Sequence, residues 1–317
     1  MIRVRRGLDL PIQGQPEQRI EDGAAVRHVA LVGDDYVGLK PTLAVGEGDA
    51  VALGQLLFED KSTPGVRYTS PAAGKVVAVN RGAKRKFESV VIRLEGRDEK
   101  TFASSSDVGS LNRSKVRETL VESGLWTAFR TRPFSRVPAP DTAPHSIFVT
   151  ALDTRPLAGD PTVILQGNED DFERGLALLP HLTDGKVRLC RRPGAPISAG
   201  HVDRVQVEEF AGPHPAGLPG THIHMLEPVS EKRTVWSVDY QDVLAMGRLF
   251  RTGGKLRKDV AGYDLAQLLV GSEGTLAVVT EATLKLVPLP AHRRLVVAPF
   301  TDLDAAARGM VALVKAR

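Results

Sequence analysis

Six glycines between residues 41 and 92 (Gly46, Gly48, Gly54, Gly65, Gly74 and Gly82) cut the chain into apolar runs too short for helices. The runs VALGQLLFE, VRYTS, GKVVAV and ESVVI alternate or stay apolar over strand-like lengths. Gly and Pro between such runs mark tight turns. This stretch must therefore fold as several short strands joined by turns, and the rest of the chain has to be arranged around that β unit.

Two of its segments carry a resemblance. Gly48-Asp49-Ala50-Val51-Ala52-Leu53-Gly54-Gln55-Leu56-Leu57 is followed by Pro71-Ala72-Ala73-Gly74-Lys75-Val76. The pair resembles the barrel-sandwich hybrid of biotinyl and lipoyl carrier domains, where such strands flank a lysine-bearing hairpin. Here the hairpin is EDKSTPGVR, and Lys61 has no apolar flank to present it. The expectation is a carrier fold without the carried group. It serves as a rigid scaffold whose hairpin at Lys61–Arg67 is the part to touch a partner.

A chain of 317 residues accommodates about two domains of ~150 residues. Lys+Arg 42 against Asp+Glu 38 leaves a net charge of +4. That near balance argues against a nucleic-acid partner and leaves open a basic face toward a lipid surface. A single cysteine, Cys190, cannot form an internal disulfide and reads as a small buried apolar residue. MIRVRRGLDLPIQGQ lacks the apolar core of a signal peptide. No run approaches the ~20 apolar residues of a membrane-spanning helix. Any membrane role is expected from outside the bilayer.

Residues 1–40 read as an extended segment followed by the strand HVALV, the turn Gly33-Asp34-Asp35 and a second short strand, YVGLKP. After a polar linker at 96–113, SKVRETLVESG predicts a helix with Ser114 as N-cap and Gly124 as its stop. Residues 126–145 hold four prolines and no period. They predict an ordered irregular loop burying Trp126, Phe129 and Phe134. SIFVTAL, near-continuously apolar, predicts a strand covered on both faces. NEDDFERGLALLPHLT predicts a helix, with Asn168 and Asp171 as a variant capping box and Phe172, Leu176, Leu179 and Leu182 as its buried stripe. The strands KVRLC, VDRVQVEEF and TVWSV follow, then a helix over DYQDVLAMGRLF capped by Asp239. This alternation implies a Rossmann-like layered sheet. The expected class is α/β (mixed α+β), in three parts: a barrel-sandwich hybrid over 1–98, a Rossmann-like domain over 99–252, and a short α+β segment over 253–317.

With these stretches in view, residues 1 to about 252 resemble the A-subunit family of the Na+-translocating NADH:quinone reductases. The resemblance rests on GLDLPIQGQPEQ, VGDDYVGLKPT, ALDTRPLAGDP, FAGPHPAGLPGTHIHMLEPV and TVWSVDYQDVLAMGRLFRTG. It implies a peripheral subunit on the cytoplasmic side of the inner membrane, meeting the membrane only through partner subunits. It also implies association with quinone, with ubiquinone as substrate of the complex, and no flavin or iron–sulfur centre of this chain's own. From Thr252-Gly253-Gly254 onward the chain instead resembles FAD-linked oxidases of the glycolate oxidase and D-lactate dehydrogenase type. There Gly262, Tyr263, Gly271, Ser272, Gly274 and Thr275 match the second half of the FAD domain. The first half is absent, so FAD is left open with an incomplete site, and the chain reads as a chimera.

The candidate residues each have a plainer reading. Arg130, Arg132 and Phe134 pair guanidinium with aromatic, a combination that suits a quinone ring and its carbonyls; the plainer role is an arginine tying a loop to the sheet. Asp35 and Tyr36 are a similar case. His222 and His224, two residues apart, would share the face of a strand and could meet a metal or a quinone. The resemblance needs no metal there, and none is expected. Arg81, Lys84, Arg85 and Lys86 form either a solvated hairpin tip or a docking contact for an acidic partner subunit. No G-x-G-x-x-G follows SIFVTAL and no nucleophile–base set is recognisable, so no catalytic residue is expected. A fragment of an FAD-dependent 2-hydroxy-acid dehydrogenase and a structural module without activity are the alternatives.

Overall fold

The computed structural model describes residues 1–9, 14, 16–20, 25–105 and 107–251. The opening residues form β1 (Ile2–Arg3), and the glycine-punctuated region supplies β2 (His28–Val32), β3 (Pro41–Leu43), β4 (Ala50–Val51), β5 (Leu56–Asp60), β6 (Arg67–Thr69), β7 (Gly74–Arg81) and β8 (Phe87–Leu94). β2, β8, β7 and β4 make one antiparallel sheet in that order, and β3, β5 and β6 a second. YVGLKP is not a strand of its own: residues 36–38 turn after the 3-10 helix at Gly33–Asp35, and Pro41 opens β3. The β5–β6 hairpin is fixed at its base: the buried Asp60 accepts from the Lys40 and Ser62 amides, both at 2.9 Å.

After α1 (Arg113–Ser123) the second half contains β9 (Arg130–Arg132), β10 (Ile147–Ala151), α2 (Pro161–Leu165), α3 (Glu169–Leu178), β11 (Val187–Arg191), β12 (Val205–Ala211), α4 (Pro219–Leu226), β13 (Val235–Asp239) and α5 (Tyr240–Phe250). Six strands form one sheet in the order β1-β12-β11-β10-β13-β9, parallel except for β9. β1, read as the head of the β unit, pairs with β12 of this other sheet. The proline-rich loop likewise contributes an edge strand, β9, beside β13. β10 is buried along its whole length: Ile147 and Val149 face α3 and α5, and Phe148 and Leu152 face Ile223 of α4. A continuous core runs from the β sheets (Phe58, Tyr68, Ile92) through Trp126 and Phe129 to Val243 and Phe250.

Two predicted caps differ. α1 is capped by Asn112, whose side chain accepts from the Lys115 amide at 2.8 Å, while Ser114 inside the helix bonds Glu118. Its end is as expected: Gly124 is left-handed (φ 82°), and a Cβ there would meet Thr69 Oγ1 at 2.3 Å. Only glycine fits that meeting of α1 with β6. On α3, Asn168 makes no side-chain cap, and Asp171 turns from the helix end to Arg248 (3.1 Å) and Arg251 (3.4 Å) near the end of α5. Phe172, Leu176, Leu179 and Leu182 are all buried as expected, although α3 ends at Leu178 and the last two lie in the 3-10 turn that follows it. The cap of α5 (Asp239 accepting from Gln241 N at 3.1 Å) agrees with the sequence reading.

Candidate functional site

Three of the sequence candidates meet where the proline-rich loop crosses the β unit. The Arg130 guanidinium lies over the Tyr36 ring, 5.2 Å from its centroid, and donates to the Asp35 carbonyl at 3.4 Å. It also donates to the carbonyls of Phe129 (3.1 Å) and Thr127. Most of its donors thus serve the backbone, so the plainer role, tying loop to scaffold, is real. Its face remains committed to an aromatic, a pairing guanidinium favours.

Further residues complete the cage. Tyr68 of β6 meets Tyr36 edge-on with centroids 4.8 Å apart and stacks on Phe58 at 4.7 Å. The Thr127 side chain bonds the Tyr36 hydroxyl. Behind them Trp126, Phe129 and Trp236 form a ring cluster at 5.3–5.5 Å, with Trp126 Nε1 donating to Pro138 O at 2.8 Å. Burial pushes the Tyr36 phenol above its ordinary value, partly offset by Arg130. Burial lowers Arg132, and neighbouring Arg130 lowers it further. Tyr68, Thr127 and Asp242 carried no sequence signal of their own; VRYTS and DYQD are ordinary strand and helix-start segments.

Asp242, in the first turn of α5, has its carboxyl raised to about 6 by burial and by Asp239, against the pull of Arg130. Its ordinary value is 3.8. A carboxyl raised by folding favours the fold while protonated, and that advantage is lost as pH climbs from about 4 through 6. Asp242→Asn is therefore expected to stabilise the protein by about 2 kcal/mol at pH 8, allowing for partial solvent screening, and to change nothing below pH 4. Urea titrations of both proteins across that range check it. A gain that does not depend on pH would show that Asp242 is not the titrating group.

The other candidates lie apart. Phe134 is 79% exposed at the tip of the 131–136 loop, so it does not help bury that loop. His222 and His224 sit on a helix, α4, where neighbours two apart face different directions. His222 is buried against Phe210 (4.3 Å), whereas His224 is exposed. His222 Nε2 lies 2.8 Å from the Ala216 carbonyl, and burial lowers its pKa to about 4. The ring is neutral, with its Nε2 proton given to that carbonyl. Among the described residues, no three His, Cys, Asp or Glu side chains converge as metal ligands would. The FAD-like residues Gly262, Tyr263, Gly271, Ser272, Gly274 and Thr275 lie outside the described residues.

A second cleft, of about 1280 Å³, opens at the carboxyl ends of β10, β11 and β12, where open α/β sheets hold ligands. The amino-terminal segment crosses it: Leu8 N donates to His214 O (2.9 Å), and His214 N to Asp9 Oδ1 (2.8 Å). The turn after β10 begins Asp153-Thr154-Arg155, with Asp153 accepting from Arg155 N at 2.8 Å. A carboxylate stands where a glycine-rich loop would offer amides to a phosphate.

Comparison with known families accords with both halves of this architecture. Residues 2–95 match the NqrA N-terminal barrel-sandwich hybrid domain, and residues 111–255 match the NqrA second alpha/beta domain. The chain is 55% identical over 255 residues to the Na(+)-translocating NADH-quinone reductase A-subunit of Shewanella amazonensis, covering 80% of this chain and 57% of that protein. Its counterpart from Rhodopirellula baltica is 57% identical, covering 79% and 56%, and that from Cellvibrio japonicus 56% identical, covering 80% and 57%. The chain thus spans little more than half the length of the curated relatives it matches. Residues 2–95 and 111–255 thus match, in order, the barrel-sandwich hybrid domain and the second α/β domain of NqrA.

Proposed function

We propose that this chain serves as a peripheral, quinone-associated subunit of a Na+-translocating NADH:quinone reductase, on the cytoplasmic side of the membrane. In this reading the other subunits of the complex are its partners. They hold the flavin and iron–sulfur centres, while this chain has none of its own and no catalytic residue. The observation that carries the quinone role is the Arg130–Tyr36–Tyr68 cage. There the Arg130 guanidinium lies over the Tyr36 ring and Tyr68 meets that ring edge-on, beside a buried tryptophan cluster. Aromatic faces and guanidinium donors of this kind are what a flat, uncharged ring with carbonyl oxygens would pack and bond against. The strand order β12-β11-β10-β13 supports a Rossmann-like layering of the second half. His222 and His224 stand outside the cage, and we do not carry them into the quinone site.

Titration of the protein with a short-chain ubiquinone analogue, followed by Trp126 and Trp236 fluorescence, tests the reading. Saturable quenching is expected, with Tyr36→Ala weakening it about tenfold through loss of one aromatic contact. Quenching that never saturates, or that Tyr36→Ala leaves unchanged, removes the quinone role. Failure to capture the other reductase subunits in a pull-down removes the complex-subunit role. The FAD-linked reading rests on residues 253–317, essentially beyond the family matches. Flavin absorbance in the purified protein would favour an FAD-dependent 2-hydroxy-acid dehydrogenase fragment. Silence in every assay would leave a structural chimera without activity.

A further inference from the structure

Beside the cage, a cleft of about 520 Å³ opens between the β7–β8 hairpin and the loop that leads from Tyr36 into β3. Tyr36 and the buried Phe87 line it, and five cations surround it: Lys40, Lys61, Arg81, Arg85 and Lys86. All five are exposed. The acid within the cleft is Asp34, which pairs with Lys86 at 2.5 Å. The positive charge is therefore in clear excess, although the chain as a whole is nearly balanced.

Two apolar side chains project next to this cleft. Val37 is 54% exposed and Phe134 79%. Their loops adjoin, since the Arg136 side chain lies against Gly38. Backbone conformation holds both the aromatic and the cations outward. Phe134 and Ser135 adopt φ of 79° and 52°, and Lys84 and Arg85 at the hairpin tip adopt 54° and 62°. Left-handed conformations are unfavourable for side chains of this size, so these loops keep a strained shape that burial does not explain.

We propose that this face docks directly on an anionic lipid surface, with Phe134 and Val37 entering the headgroup layer and the five cations meeting lipid phosphates. The pattern favours lipid over an acidic protein. Separate projecting apolar tips with long, flexible cations around them suit a fluid layer of phosphates. A protein partner of ordinary interface size would need a continuous complementary patch of about 800 Å². The inference goes beyond contact through partner subunits and stands without the quinone reading; joined to that reading, it brings the cage to the level of the headgroups.

The test is co-sedimentation of the full chain with phosphatidylcholine vesicles, with and without phosphatidylglycerol. Binding is expected only to the phosphatidylglycerol vesicles, falling as salt is raised. Lys61→Glu combined with Arg85→Glu should lower vesicle affinity at least about tenfold, since each cation near an anionic surface contributes substantially. Phe134→Ser should leave low-salt binding largely intact and remove what persists at high salt. Circular dichroism confirms that the variants fold, and the neutral pair Lys61→Gln with Arg85→Gln should give an intermediate loss. Equal binding to both vesicle types, or equal binding by wild type and the Glu pair, overturns the proposal. Binding to polyglutamate without binding to vesicles would overturn it too, and would assign the face to an acidic polypeptide. The quinone titration uses no vesicles, so either reading can fail alone.

Discussion

Gly247→Val is expected to prevent stable folding of the α/β half. α3 and α5 cross at Gly175 and Gly247. A Cβ on Gly247 would lie 1.7 Å from the Asp171 carbonyl oxygen and 2.6 Å from the Gly175 amide nitrogen. A Cβ on Gly175 would meet the Val243 carbonyl at 1.9 Å. These are backbone atoms, so no rotamer change relieves the overlap and the helices must separate. Separation uncovers Phe172, Leu176, Val243 and Met246, all buried in the common core. Overpacking ordinarily costs about 1–3 kcal/mol, and a clash with the backbone of a neighbouring helix exceeds that, so even Gly247→Ala should cost about 4 kcal/mol or more. Gly220→Ala in α4 is the control. Nothing lies within 4 Å of its Cβ, and alanine favours a helix by up to about 1 kcal/mol. Urea unfolding followed by far-ultraviolet circular dichroism reads all three. A Gly247→Ala loss under 1 kcal/mol would show that the helices can slide apart without harm.

Sequence reading succeeds where the determinant is local or periodic. The near-continuous apolar run of SIFVTAL marks a strand covered on both faces, and Phe148 against Ile147 and Val149 shows the two coverings. The aspartate at 239 and the apolar spacing behind it mark the start and inner face of α5. It fails where a partner distant in sequence decides the outcome. Asn168 and Asp171 have the spacing of a capping box, but Arg248, 77 residues beyond Asp171, takes the carboxylate. β1 reaches β12 across the whole β unit, a pairing no local pattern encodes. Spacing alone puts His222 and His224 on a strand; the helix-starting Pro219 is the signal that outweighs it. The cage is half legible. Arg130 and Tyr36 stand out by residue type, whereas Tyr68 and Asp242 matter only because folding brings them there. Hydrophobicity alone assigns Phe134 to the interior, yet its backbone turns it to the surface.

Asp171→Ala should destabilise the protein by about 3 kcal/mol. The Asp171 side chain is only 4% exposed, and its carboxylate faces Arg248 and Arg251. Removing it leaves two guanidinium groups close together, with Arg248 still directed toward Asn168. Both arginines are partly exposed, at 28% and 35%, so water recovers some of their solvation and the loss falls at the lower end for a broken buried pair. Asp171→Asn keeps the shape and one acceptor and should lose less. A double-mutant cycle with Arg248→Ala isolates the pair, and a coupling above about 1 kcal/mol is expected for groups in direct contact. The consequence reaches the cage through α5: its last turn is held by Asp171, and its first turn carries Asp242 beside Arg130. If α5 moves as a rigid rod, Asp171→Ala also shifts the pH range over which Asp242 affects stability. If only its end frays, that range stays where it is in the parent protein. Measuring the stability of Asp171→Ala between pH 4 and 8 separates the two, and a coupling near zero would remove the ion pair as the anchor of α5.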